Sequence, residues 1–253
     1  MSRRPRRRHP VSPRAAALEQ HRHDRLATID ALRGVGIVLM VAYHFAFDLA
    51  WFRVIHADFN HEAFWLVSRA IIVSIFLVLV GVSLVLAKRA HPGLQPFWRR
   101  VALVAVCAIL VTIASYLTFP QTFITFGILH AIAVSSVLAR PLVDFPRVAL
   151  VLGVAIVVLG TTVQLPLFDG AWLNWIGMMT YKPPTEDYVP LFPWLGVVLI
   201  GVAIGTALPR IQRSLAAADR RSPRWLAWLG RHSLIIYLVH QPILVGALRV
   251  WSD

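Results

Sequence analysis

The stretch IDALRGVGIVLMVAYHFAFDLAWF, residues 29–52, decides the fold. It is apolar and long enough for a membrane-spanning helix, which needs about 20 residues to cross roughly 30 Å of hydrocarbon. Yet it carries Arg33, His44 and Asp48. Such groups are costly in lipid, and where they occur they face a bundle interior or a wet cavity. At 3.6 residues per turn, the spacings Asp30–Arg33, Arg33–His44 and His44–Asp48 put all four residues on one stripe. That stripe predicts an inward, polar face running from Arg33 at one end of the helix to Asp48 near the other.

The rest of the chain extends the same reading. Of 253 residues, 58% are hydrophobic and only 15% charged, with a mean hydropathy of +0.67. A soluble domain carries about 25% charged residues. The apolar residues come in long blocks, so the expected class is all-α: a polytopic membrane helical bundle. Seven segments are long enough to be spans, near 29–52, 63–87, 99–119, 123–140, 148–165, 188–208 and 230–251. In lipid the backbone must satisfy its own hydrogen bonds, which makes these helices. The single cysteine, Cys107, excludes an intrachain disulfide or cysteine-based metal site.

The net charge of +13 suggests nucleic acid, but its distribution points elsewhere. Twenty of the 25 Lys and Arg fall on one side of the alternating spans, three on the other, and Arg33 and Arg69 lie within spans. By the positive-inside rule the N-terminus is cytoplasmic and the C-terminus outside, in an inner (plasma) membrane. Residues 1–25 read as a disordered basic cytoplasmic tail that meets anionic lipid rather than nucleic acid. Residues 26–253 then form one membrane domain. The segment 211–230 is expected along the inner surface. The outer loop 166–187 either lies at the interface or covers a site. Gly201 and Gly205 form a GxxxG pair, a pattern for close helix packing.

Other spans place titratable groups near the depth of His44. Arg69 lies about two turns from the outer end of the second span, where a pairing with Asp48 would ease the burial of both. His130 and His240 come from the fourth and seventh spans. Taken singly, each has an ordinary reading: a histidine bonding between helices, an ion pair, an arginine reaching the headgroups. Converging in one small bundle, they mark a functional site. Two chemistries fit. One is a proton-coupled transporter using His and Asp as a relay. The other is an acyltransferase in which a histidine takes a proton from the acceptor or carries the acyl group.

Five strings favour the second. RLATIDALRGVGIVLMVAYHFAFDL, FLVLVGVSLVLA, ITFGILHAI, DYVPLFPWLGVVLIGVAIG and LGRHSLIIYLVHQPIL occur in order and span nearly everything from Arg25 to Val250. Together they resemble the bacterial membrane family related to the catalytic domain of heparan-alpha-glucosaminide N-acetyltransferase. The Arg33-to-His44 spacing is also similar to that of the O-antigen-type membrane acyltransferases. The resemblance implies acetyl-CoA or another acyl-CoA as cytoplasmic donor, with no metal, and a sugar, glycan or glycolipid acceptor outside. A homodimer is compatible with it. It also implies two different catalytic histidines. The animal enzyme's histidine context matches VIHADFN and points to His56, whereas the spacing points to His44. His44 is the favoured residue, with Asp48 expected to orient it. Arg33 is expected to hold donor phosphates. Arg69 or His130 would polarise the acyl carbonyl, and His240 would line the same chamber.

Overall fold

The computed structural model describes residues 13–208 and 223–252. Every regular element among them is helical. The helices are α1 (Pro13–Trp51), α2 (Ala63–Ala90), α3 (Leu94–Thr118), α4 (Ile128–Ala139), α5 (Pro146–Thr162), α6 (Leu191–Ala207), α7 (Arg224–Arg231) and α8 (Ser233–Ser252). A 3-10 turn, Arg140–Asp144, prolongs α4.

Four helical segments are long and apolar enough to cross a membrane: Ala27–Trp51, Ala63–Ala90, Leu94–Thr118 and Ser233–Trp251. The segments read from sequence as spans four, five and six form shorter helices, of 12, 17 and 17 residues. The reason is local. Residues 122–126 leave the helical path to pair with a later loop: Glu186 N–H donates to the Thr122 carbonyl and Val189 N–H to that of Phe126. Pro146 begins α5, and the extended backbone of Phe192 interrupts the first turn of α6. The basic tail is helical from Pro13 onward, where Ala15, Ala16, Ala17, Leu18 and Glu19 are strong helix formers. Its first twelve residues lie outside the described residues.

The main core lies among α2, α4 and α6, where Leu77, Val85, Ala131, Val198, Leu199 and Val202 are almost fully buried. Glycine lets α2 and α6 approach backbone to backbone. A Cβ on Gly81 would meet the Val198 carbonyl and one on Gly201 the Val78 carbonyl. The GxxxG pair is therefore a packing device, with Gly205 against Val82. A second such crossing joins α1 to α7, where Gly34 meets Leu226 and Gly230 meets the Asp30 carbonyl. Of the segment 211–230 expected along the inner surface, residues 211–222 lie outside the described residues. In the remainder, α7 buries Ala227 and Gly230 and leaves Trp225 and Trp228 exposed.

Candidate active site

The stripe read from sequence faces two other helices. Toward the N-terminal end of the stripe, Arg33 donates from Nη1 to Asp30 Oδ1 at 3.2 Å and from Nη2 to Ser83 Oγ of α2 at 3.0 Å. Arg100 of α3 lies within electrostatic reach of Arg33, and Arg231 within reach of Asp30. Asp30 thus lies in the field of two cations, Arg33 and Arg231, and Arg100 adds a third positive charge near Arg33.

Eleven residues further along α1, about 16 Å at 1.5 Å per residue, His44 meets α8. Its ring is 5.0 Å from that of His240, centroid to centroid, in an edge-on arrangement. His240 is 8% exposed. Its Nδ1 is 2.7 Å from the Tyr237 carbonyl. A carbonyl only accepts, so Nδ1 carries the proton and Nε2 the lone pair. That Nε2 is buried without a hydrogen-bond partner.

One turn further along α1 from His44, Asp48 is 3% exposed. Its Oδ1 accepts from Gln241 Nε2 at 2.7 Å, while its Oδ2 and Gln241 Oε1 have no partner. Asp48 therefore does not orient His44 through a hydrogen bond, as expected from sequence, and it forms no ion pair with Arg69. The neighbouring α8 amide takes its place. Arg69 instead lies in the field of Tyr43, Lys182 and Asp187.

His130 has a different part. Gly127 N–H donates to its Nδ1 at 3.3 Å. Its Nε2 then holds the proton and faces Thr112 Oγ1 at 3.3 Å, and that hydroxyl donates to the Ile124 carbonyl at 2.8 Å. Both ring nitrogens are engaged, so His130 fastens the start of α4 to α3 and has no donor left for an acyl carbonyl. His56 is exposed on the loop between α1 and α2. Among the described residues it makes no side-chain hydrogen bond, ion pair or ring contact with His44 or His240.

Two residues were not singled out from sequence. Asp187 accepts from Ile128 N–H at the start of α4 at 2.8 Å, and from the Tyr237 hydroxyl at 3.4 Å. Burial, the largest influence, raises this carboxyl above the ordinary value; the Ile128 N–H, Tyr237, Arg69 and Lys182 oppose it. Its signal was in plain view: an acidic residue directly before the apolar run of α6. Gln241 follows His240 and looked like an ordinary helix polar residue. The loop 163–190, which carries Asp187, is tethered at two further points. Thr185 Oγ1 donates to the Phe123 carbonyl at 2.8 Å and Lys182 Nζ to Asn60 Oδ1 at 3.0 Å. These bonds tie the loop to the α1–α2 connection and to the segment before α4, while Trp172 and Tyr181 stay exposed.

A family model described as heparan-alpha-glucosaminide N-acetyltransferase, catalytic, matches residues 25–242. No curated protein and no solved structure gives a significant match.

Proposed function

The chain belongs to the membrane acetyltransferase family defined by the heparan-alpha-glucosaminide N-acetyltransferase catalytic domain, and on that premise we propose that it moves an acetyl group from cytoplasmic acetyl-CoA to an acceptor on the outer side. The observation that carries this reading is the His44–His240 pair, in which His240 Nε2 is buried without a hydrogen-bond partner. A buried acceptor without a partner carries a desolvation cost of about 1–3 kcal/mol. A bound nucleophile's proton would relieve it.

We read α5, α6 and α4 with its 3-10 extension Arg140–Asp144 as spans too, the first two of 17 residues and the third of 12 plus 5. A 17-residue α-helix is about 26 Å long, at the lower limit for crossing. The sidedness of Lys and Arg then sets the Arg33 end toward the cytoplasm of a bacterial inner membrane. Arg33, Arg100 and Arg231 attract the phosphates of acetyl-CoA there. The pantetheine arm extends along the α1 stripe and brings the thioester to His44.

The acceptor enters from the outer side, beneath loop 163–190. Its hydroxyl or amine attacks the thioester carbonyl carbon while His240 Nε2 takes the proton. The tetrahedral intermediate collapses, the C–S bond breaks, and the leaving sulfur takes that proton back from His240. The products are acetylated acceptor and CoA thiol. His44 borders the reacting carbonyl. Arg69, whose charge acts on Tyr43 beside His44, would stabilise the oxyanion. The histidine favoured from sequence thus shares its task with His240, whose Nε2 is the base. Family membership does not favour the transporter reading.

The test is transfer of label from acetyl-CoA by the purified chain in lipid nanodiscs. His240→Ala is expected to remove transfer and leave acetyl-CoA binding. Full transfer by that variant would contradict the assignment.

A further inference from the structure

The short helix α7, RWLAWLGR, has two unlike faces. Leu226 and Gly230 press against α1: a Cβ on Gly34 would meet the Leu226 carbonyl, and one on Gly230 the Asp30 carbonyl. Arg224, Trp225, Trp228 and Arg231 are exposed. Around the helix axis these four fall within about 120° of one another, on the side away from α1. Trp225 and Trp228 are each more than half exposed. The Trp228 ring leans on that of His232, 4.5 Å away, whose Nδ1 is 2.8 Å from the Trp228 carbonyl. Arg224 takes part in none of the ion pairs among the described residues.

The place of α7 narrows what can cover this face. Asp30 and Gly34 lie in the first turns of the membrane-crossing segment Ala27–Trp51, and Ser233, just past α7, begins another, Ser233–Trp251. The helix therefore sits where two spans start, at headgroup level. Hydrocarbon would not accept Arg224, and water would leave two indoles wet. The interface suits both, since indole rings settle among headgroups and arginines beside anionic lipid. The chain leading into α7 is basic too, with Arg210, Arg213, Arg220 and Arg221 against Asp219. Charge complementarity thus selects one occupant. We infer that the exposed face of α7 docks the phosphate headgroups of anionic phospholipid, with Arg224 as the cation and Trp225 and Trp228 as the anchors. Arg231, at the edge of the face, lies within electrostatic reach of Asp30 and belongs to the donor end. Lipid docking of this kind goes beyond acetyl transfer and does not depend on it.

The experiment places the full chain in phosphatidylcholine nanodiscs containing either brominated phosphatidylglycerol or brominated phosphatidylcholine at equal mole fraction, and reads tryptophan fluorescence. The chain has nine tryptophans, so the signal of Trp225 and Trp228 is taken as the difference between the parent and its Trp225→Phe/Trp228→Phe variant. Brominated phosphatidylglycerol is expected to quench that signal more than brominated phosphatidylcholine does. Arg224→Gln should reduce this preference about fivefold. Should Arg224→Gln fail to fold, rising ionic strength serves in its place: the preference of the parent chain should decline, and a preference insensitive to salt overturns the assignment. Equal quenching by the two lipids means apolar insertion alone and overturns it. So does a signal that neither lipid quenches, since protein or water then covers the face. Loss of phosphatidylglycerol quenching on adding acetyl-CoA would make the face a donor-phosphate site and overturns it as well. None of these readouts needs acetyl transfer, so their failure leaves the acetyltransferase reading standing.

Discussion

His44 of α1 and His240 of α8 stand ring to ring at 5.0 Å, and the carbonyl of Tyr237 fixes which nitrogen of His240 is bare. The first prediction concerns that nitrogen. His240→Asn should lower kcat for acetyl transfer by about 10²–10⁴, the usual contribution of a positioned base. The KM for acetyl-CoA should stay within about twofold. Steady-state kinetics with labelled acetyl-CoA checks both.

Arg33 belongs to the opposite end of the stripe. Arg33→Gln keeps a donor for Ser83 but loses the charge and the bidentate fork. It should raise the KM for acetyl-CoA at least about tenfold, with little change in kcat. Weakened acetyl-CoA binding at higher ionic strength should accompany it in the parent protein, because partly exposed charges are screened.

His130 is expected to matter for stability rather than chemistry. His130→Ala leaves Gly127 N–H without its acceptor and Thr112 without its neighbour. The loss should be about 1–3 kcal/mol, read as a lower midpoint in thermal unfolding. Transfer per folded molecule should be preserved.

Asp187 gives a pH dependence with a definite sign. Its carboxyl is raised in the folded chain, mainly by burial. The stability it contributes is therefore complete below the ordinary carboxylate value and is lost as pH rises through the raised one. Asp187→Asn keeps an oxygen for Ile128 N–H and cannot ionise. Melting temperature plotted against pH should fall less steeply above pH 4 for this variant. An unchanged slope would assign the dependence to another group.

Much of this was legible in the chain itself. The spacing of Asp30, Arg33, His44 and Asp48 placed them on one face, and that face meets Ser83, His240 and Gln241. Gly201 and Gly205 announced a close helix contact, which the structure makes with α2. What stayed hidden depends on partners far away in sequence. Hydropathy carried the fourth span back to residue 123, whereas pairing of Thr122 and Phe126 with Glu186 and Val189 takes those residues out of the helix. The idle nitrogen of His240 is visible only once the ring's direction toward Tyr237 is known. The partner of Asp48 lies 193 residues away, so helix periodicity suggested His44, and depth in the second span Arg69, instead.

The central claim is that a buried imidazole pair joins a cytoplasmic acetyl donor to an outer acceptor. Sealed inside-out vesicles supplied with labelled acetyl-CoA on their cytoplasmic face test it most directly. Label should appear on acceptor enclosed in the lumen, and His44→Ala and His240→Ala should each abolish its appearance while the folded protein remains in the membrane. Undiminished lumenal label in both variants would contradict the account.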